Sequence, residues 1–215
     1  MTTATSAPPS LTRAGFGRPA APVRMVHLGL GNFTRAHQAW YTEHASDAAE
    51  WGIAAFTGRR PTMSDLLTPQ DGLYTLITKG SHGDSFEVIS SVSRVHPASD
   101  FAALIGYFAS PELAVVTSTV TEAGYHRAAD GRLDLADPAV ADDLAVLRTL
   151  VEAGDLSPER IGAATVATVP ARILAGLLAR FDHLADLRHP DREWFFDDKH
   201  GRRYSPDWLI ACYHL

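Results

Sequence analysis

Two closely spaced glycines near the amino terminus are the residues with the clearest chemical meaning in this chain. A short apolar run over residues 23–28 ends in Gly29-Leu30-Gly31, and an amphipathic stretch follows at once. This order is typical of a strand, a tight turn and a helix that bind a phosphate, because the first glycine permits the turn and the second lets the backbone approach a pyrophosphate. Thr34 stands where the full motif has a third glycine, so close helix–strand packing explains the pair equally well.

Two arginines follow the next apolar run, residues 51–56, in the segment Thr57-Gly58-Arg59-Arg60. A dinucleotide site usually has an acid at this place to bind the ribose hydroxyls, and none is present here. The guanidinium groups of Arg59 and Arg60 could grip a 2′-phosphate with paired hydrogen bonds, could stack on adenine, or could be solvated loop residues. Both arginines are therefore candidate cofactor-binding residues.

A third candidate group follows the β-branched run at 113–119. Thr119 and Glu122 would lie at the carboxyl end of that strand, where side chains in open α/β sheets line the ligand crevice. A glutamate in such a place also commonly caps a turn. Glu122 is a candidate site residue on the basis of its position alone.

The residue spacing gives little support for a metal site or a hydrolase active site. Ten histidines are spread along the chain without a His-Glu-x-x-His pair, and Cys212 is the single cysteine, so we predict no metal site. No Gly-x-Ser-x-Gly elbow is present for a hydrolase serine. The net charge of −6 argues against a nucleic-acid partner.

The same composition bears on location. No apolar stretch reaches the roughly 18 residues of a membrane helix, so we expect no membrane partner. A single cysteine is compatible with the cytoplasm, which is the predicted location.

The apolar runs predict an α/β protein with an open, mostly parallel sheet and an inserted antiparallel hairpin. Residues 1–22 are expected to form a flexible arm, and residues 182–215 a divergent tail rich in charged and aromatic residues. The predicted elements are strands at 23–28, 51–56 and 113–119, hairpin strands at 73–79 and 86–92, and helices at 34–47, 100–108, 137–152 and 170–181.

Three motifs occur in order along the chain. They are Gly29-Leu-Gly31-Asn-Phe33-Thr-Arg35-Ala-His37-Gln38, Gln70-Asp71-Gly72-Leu73-Tyr74-Thr75-Leu76 and Thr119-Val-Thr121-Glu122-Ala-Gly124-Tyr125. Together they resemble the N-terminal half of the mannitol dehydrogenase family, the long-chain polyol dehydrogenases that include mannitol 2-dehydrogenase and the fructuronate and tagaturonate reductases. The resemblance covers about residues 23–180, including the segment that starts at Pro170.

This resemblance implies an NAD(P)-binding domain of Rossmann type over residues 23–181. It implies that a hydride passes between NAD and a polyol or sugar acid of the mannitol/fructose or fructuronate type. NADP is left open as the cofactor. A threonine in place of the third glycine is normal for the family, and Glu122 would lie near the nicotinamide. The cofactor contacts implied along the turn are Gly29, Leu30, Gly31, Asn32 and Phe33.

One departure from the family pattern affects the expected activity. In that family a second, mostly helical domain supplies a catalytic Lys-x4-Asn-x2-His group, whose lysine acts as the general base. This chain has a single asparagine, Asn32, and two lysines, Lys79 and Lys199, so the group fits in no register. We expect the family's C-terminal catalytic domain to be absent, no catalytic residue in this chain, and little or no turnover by the chain alone, as for a truncated enzyme. The alternatives are a non-catalytic dinucleotide-binding module or half of a split enzyme, and more weakly a methyltransferase.

Overall fold

The computed structural model describes residues 11–155 and 157–180. The chain divides into two units, the first drawn from Met1–Ser99 and Glu112–Thr119 and the second from Asp100–Pro111 and Val120–Leu215. The Rossmann-type domain predicted at 23–181 therefore includes residues of both units. The tail predicted at 182–215 lies outside the described residues.

The described residues contain six strands and eight α-helices. Short 3-10 helices occur at Ala48–Glu50, Thr68–Gln70 and Glu122–Tyr125. In chain order the strands and α-helices are α1 (Arg13–Phe16), β1 (Val23–Leu28), α2 (Asn32–Ala36), α3 (Gln38–Glu43), β2 (Gly52–Phe56), α4 (Thr62–Leu67), β3 (Tyr74–Thr78), β4 (Ser85–Ile89), β5 (Val92–His96), α5 (Phe101–Ala109), β6 (Val115–Ser118), α6 (Pro138–Ala153), α7 (Pro158–Gly162) and α8 (Val169–Arg180).

Four strands of the first unit form an open parallel sheet in the order β5-β2-β1-β6. The predicted α/β fold with a mostly parallel sheet is therefore confirmed. β2 is buried along its whole length, as expected of a central parallel strand. The register pairs Leu28 with both Phe56 and Ser118, so β1, β2 and β6 end level with one another.

The predicted antiparallel hairpin is a separate two-stranded sheet of β3 and β4, with Tyr74 opposite Ile89. The single strand predicted at 86–92 was wrong, because β4 ends at Ile89 and the chain bends before it enters the parallel sheet as β5. The hydroxyl of Ser91, in this bend, donates to the carbonyl oxygen of Ala39 at 2.7 Å. The residues on either side of the bend form one run in the sequence, which hid the fourth parallel strand.

The single helix predicted at 34–47 is two short helices, α2 and α3, that meet at His37. The dihedral angles of this residue, φ −119° and ψ −74°, depart from those of an ideal α-helix. Gln38, the first residue of α3, donates from its side chain to the hydroxyl of Thr117 on β6 at 2.8 Å, which ties the start of α3 to the sheet. Phe33, in α2, is 64% exposed.

Residues 11–22, the described part of the arm predicted at 1–22, are hydrogen-bonded to the rest of the first unit. The guanidinium of Arg13, in α1, donates to the carbonyl oxygens of Ser90 and Val92 at 2.7 and 2.9 Å. The N–H of Arg13 donates to the carboxylate of Asp71 at 3.0 Å. These hydrogen bonds fasten the segment to the bend before β5, so it is part of the fold.

The second unit contains helices α5 to α8. The helices α5 and α6 begin after the aspartate caps Asp100 and Asp137, whose carboxylates accept backbone N–H bonds. On α6 the buried carboxylate of Asp143 accepts the N–H groups of Ala167 and Thr168 at 2.7 and 2.8 Å. Asp143 thereby satisfies backbone donors at the start of α8 that the helix itself cannot bond.

Candidate functional site

The turn after β1 lies at the topological switch point of the parallel sheet. Strand β1 has β2 on one side and β6 on the other, and the chain reaches β6 only after adding β5 at the opposite edge. In open α/β sheets, ligands bind outside the carboxyl ends of the strands at the place where the strand order reverses. Because β1, β2 and β6 end level, the residues that follow them lie beside the glycine turn.

Gly29 is required by the geometry of the protein itself. Its φ is +103°, and a Cβ at this position would lie 2.5 Å from the carbonyl oxygen of Thr119. The N–H groups of Gly29 and Leu30 both donate to the carbonyl oxygen of Phe56, at 3.0 and 2.9 Å. The turn is therefore bonded to the end of β2 and packed against the end of β6, and these two N–H groups are already used.

Gly31 differs from Gly29, because no described neighbour requires a glycine there. Its φ of −116° is open to any residue, and the nearest atom to an added Cβ would be the carbonyl oxygen of Gly29, at an ordinary 3.7 Å. Gly31 precedes α2, and no side chain caps that helix. The missing Cβ leaves open space beside the backbone at the place where the motif would admit a pyrophosphate.

The other predicted residues of the turn differ in accessibility. The side chain of Leu30 is 4% exposed and belongs to the hydrophobic core of the first unit, so it is not accessible to a ligand. Asn32 and Phe33 begin α2 and are exposed. The side-chain oxygen of Asn32 accepts a hydrogen bond from Arg35 at 2.5 Å, and the ring centroid of Phe33 lies 4.6 Å from that of His37.

A buried hydrogen-bond network supports the turn, and sequence reasoning missed it. His27 on β1 is 1% exposed, and its Nε2 lies 2.6 Å from the hydroxyl of Thr34 and 3.3 Å from the carbonyl oxygen of Gly29. Its Nδ1 is hydrogen-bonded to the hydroxyl of Thr117 at 2.8 Å, and the hydroxyls of Thr34 and Thr119 are 3.0 Å apart. The network joins β1, α2 and β6. The one sequence feature that could have indicated this network is Thr34, a polar residue at the position where the motif has its third glycine.

Burial gives His27 a pH-dependent effect on stability. It lowers the pKa of His27 below the ordinary value of 6.5, and hydrogen bonds with the Gly29 carbonyl and the Gln38 side chain oppose this shift only in part. The folded chain therefore binds the proton more weakly than the unfolded chain. We expect the contribution of neutral His27 to the free energy of unfolding to be complete above the ordinary pKa of 6.5 and to decline as pH falls from there through the folded-state pKa.

Urea unfolding of the chain and of a His27→Phe variant, between about pH 8 and about pH 5, measures this effect. The stability advantage of the native chain over the variant should shrink as pH falls, because phenylalanine has no proton to bind. An advantage that stays constant across this range would contradict the prediction.

Arg59 and Arg60 lie on the exposed loop that follows β2. Thr57, directly after the strand, is 4% exposed, and its hydroxyl accepts the N–H of Ala98 at 3.1 Å. The carbonyl oxygen of Phe56 binds the glycine turn, so this loop starts next to the turn. The structure thus brings the arginine loop and the turn to the same edge of the sheet.

Thr119 belongs to the first unit and Glu122 to the second. Thr119 continues the ladder of β6, with its N–H donating to the carbonyl oxygen of Leu28 at 2.8 Å, and it contacts the glycine turn. Glu122 begins the 3-10 helix Glu122–Tyr125 in the second unit. Its place near a cofactor stays a prediction.

The motif Gln70-Asp71-Gly72 has a structural role in the first unit. Gly72 has a φ of +79°, and a Cβ there would lie 2.2 Å from the carbonyl oxygen of Val92, so a side chain would collide with β5. The carboxylate of Asp71 holds Arg13. The motif therefore joins the hairpin, the parallel sheet and the amino-terminal segment.

Among residues 11–155 and 157–180, no group of three or more His, Cys, Asp and Glu side chains is placed to hold a metal ion. In that same part of the chain no helix combines the length and the apolarity needed to cross a bilayer.

Comparison with known proteins identifies the family. The family model described as the mannitol dehydrogenase Rossmann domain matches residues 23–187. The chain belongs to the mannitol dehydrogenase family. The resemblance drawn from the three motifs is confirmed, and the parallel sheet with its turn at the switch point is the Rossmann fold of this family.

Relatives of this mannitol dehydrogenase family member include a sugar alcohol dehydrogenase and a sugar acid oxidoreductase. The chain is 39% identical to D-arabinitol 4-dehydrogenase of Ralstonia nicotianae over 62% of its own length and 30% of that protein. It is 36% identical to D-mannonate oxidoreductase of Escherichia coli over 67% of its length and 31% of that protein. A crystal structure of substrate-free D-sorbitol dehydrogenase superposes with a TM-score of 0.57 at 25% identity, covering 74% of this chain and 31% of that one. The chain thus spans about a third of the length of the proteins that it matches.

Proposed function

We propose that this chain is the cofactor-binding part of an NAD(P)-dependent oxidoreductase acting on a polyol or sugar acid. The open backbone at Gly31 carries this proposal. Gly29 is explained by the collision that a Cβ would make with Thr119, whereas no described neighbour explains Gly31. A ligand that approaches the backbone there supplies the reason, and the carboxyl edge of such a sheet is where a dinucleotide pyrophosphate binds.

The residues of the first unit fit such a ligand. Gly31, Asn32 and Phe33 would hold the pyrophosphate, since they lie on the exposed side of the turn before an uncapped helix. Gly29 and Leu30 would act by fixing the course of the turn, because their N–H groups are bonded to Phe56. Bound nicotinamide would supply the acceptor or donor of the hydride.

The remaining candidates complete the proposed site. Thr119 would border the turn from the end of β6, where it contacts Gly29. Arg59 and Arg60 would bind the adenosine end from the loop after β2, and Glu122 would lie near the nicotinamide, as the family resemblance implies. A cytoplasmic location is proposed from the single cysteine.

Turnover by this chain alone is proposed to be weak or absent. The resemblance implies a catalytic Lys-x4-Asn-x2-His group, but the single asparagine, Asn32, has no lysine five residues before it. A general base such as that lysine contributes a factor of about 10²–10⁴ to the rate. The same observation favours the alternative of a non-catalytic dinucleotide-binding module or half of a split enzyme. Mannitol or fructuronate turnover by this chain at the rate of a full-length relative would refute both the weak activity and the alternative.

The Gly31→Ala variant tests cofactor binding. We expect it to weaken NADH and NADPH binding by about tenfold or more, because the new methyl group would occupy the path of the pyrophosphate. Its free energy of unfolding should fall by less than about 1 kcal/mol, since the nearest atom is 3.7 Å away. Fluorescence titration measures the affinities, and urea unfolding measures the stability.

The matched control is Gly106→Ala, which adds the same methyl group to α5 at a glycine where an added Cβ would have no atom within 4 Å. This control should bind both dinucleotides like the native chain. If the native chain binds neither NADH nor NADPH, or if Gly31→Ala binds them as well as the native chain does, the proposed site is wrong.

A further inference from the structure

The loop that follows β2, at the carboxyl edge of the parallel sheet, combines two unpaired arginines with a lack of carboxylates. Residues 57–61 include Arg59 and Arg60 and contain no Asp or Glu, whereas the segments that follow β5 and β6 continue to Asp100 and Glu122. The whole chain has a net charge of −6, so this loop is locally unlike the average surface.

The position that usually holds a ribose-binding acid is occupied by a residue that cannot replace it. Thr57 directly follows β2, is 4% exposed and uses its hydroxyl to accept the N–H of Ala98. The first carboxylate further along the chain is Asp65, already within α4. Free 2′- and 3′-hydroxyls of NAD therefore meet no carboxylate acceptor in this loop, and that acceptor is what favours NAD in such sites.

Arg59 and Arg60 are available for an anion at the same place. Both are exposed, and neither is hydrogen-bonded or ion-paired to any residue that the structure describes. Gly58 before them has no atom within 4 Å of an added Cβ, so the approach to the loop is open. The carbonyl oxygen of Phe56, two residues before Gly58, bonds the glycine turn.

We propose that Arg59 and Arg60 form a 2′-phosphate site and that the chain binds NADP(H) in preference to NAD(H). This inference rests on the proposed function of the glycine turn and adds the choice of dinucleotide. A 2′-phosphate carries about 1.5–2 negative charges near pH 7, and guanidinium groups bind phosphate through paired, charge-assisted hydrogen bonds. Selectivity is a difference between two affinities, and here the acid that would favour NAD is missing while the cations that favour NADP are present.

The test compares NADPH and NADH by fluorescence titration of the 215-residue chain at low salt. We expect NADPH to bind about tenfold or more tightly than NADH. In the double variant Arg59→Ala/Arg60→Ala, NADPH affinity should fall by about tenfold or more while NADH affinity changes by less than about threefold. The double lysine variant should keep part of the preference, because it retains the charge and loses the planar fork.

Arg148→Ala is the control for the loss of an exposed arginine elsewhere, on α6. It removes one positive charge, whereas the alanine double variant removes two. It should leave the NADPH/NADH ratio unchanged. Adenosine 2′,5′-bisphosphate and 5′-AMP, used as competitors, report on the adenosine end alone, and only the first should depend on the two arginines.

Each outcome separates the two proposals. Equal or tighter binding of NADH, or an equal loss for both dinucleotides in the alanine double variant, would overturn the 2′-phosphate site and leave the dinucleotide function standing. Binding of neither dinucleotide would overturn both. A preference for NADPH that disappears in the alanine double variant and survives in Arg148→Ala supports the 2′-phosphate site.

Discussion

Replacing Gly29 with alanine is expected to lower the free energy of unfolding by about 2–4 kcal/mol. Two effects add at this position. A φ of +103° is unfavourable for any residue with a Cβ, and that Cβ would lie 2.5 Å from the carbonyl oxygen of Thr119. Backbone atoms have to move to relieve the collision, because the nearest atom belongs to the end of β6 and not to a flexible side chain.

The same change should abolish dinucleotide binding, since the turn would be displaced from its bonds to Phe56. Urea unfolding and NADPH titration measure the two losses. Gly31→Ala is the internal control, because it alters the neighbouring glycine without strain and should affect binding far more than stability. Equal effects of Gly29→Ala and Gly31→Ala on the free energy of unfolding would contradict this division of roles.

Replacing His27 with phenylalanine is expected to lower the free energy of unfolding by about 1–3 kcal/mol at neutral pH. The ring would fill a similar space, but the buried hydroxyl of Thr34 and the half-buried hydroxyl of Thr117 would each lose one hydrogen bond, at 2.6 and 2.8 Å, and keep Thr119 and Gln38 as remaining partners. One hydrogen bond contributes about 0.5–1.5 kcal/mol to stability. The cost should therefore arise from lost hydrogen bonds and not from lost packing.

A double-mutant cycle with Thr34→Val separates these two causes. Valine has nearly the shape of threonine and no hydroxyl, and Thr34 is 1% exposed. If the hydrogen bond between His27 and Thr34 matters, the two changes together should cost about 0.5–3 kcal/mol less than the sum of the single changes. Additive costs would show that the pair does not interact.

Local features of the sequence were sufficient to predict much of the fold. The sequence placed β1, β2 and the helices α5, α6 and α8 correctly. Periodic apolar residues, capping residues and prolines mark such elements locally. Two errors had one cause: the helix predicted at 34–47 and the strand predicted at 86–92 both contain an interruption. Contacts with distant parts of the chain mark these interruptions, at Gln38 with Thr117 and at Ser91 with Ala39.

By itself the sequence determined that a glycine pair follows a first strand, that the chain carries the motifs of the mannitol dehydrogenase family, and that Asn32 is its single asparagine. These are properties of residue type and order. Only the tertiary structure decided that Gly29 serves the fold while Gly31 is open, and that Thr34 binds a buried histidine. The answer for Gly29 depends on Thr119, whose carbonyl oxygen a Cβ at Gly29 would meet. Thr119 is 92 positions from His27 in the chain and 3.3 Å from its ring in space, and a separation of that kind leaves no trace in local spacing.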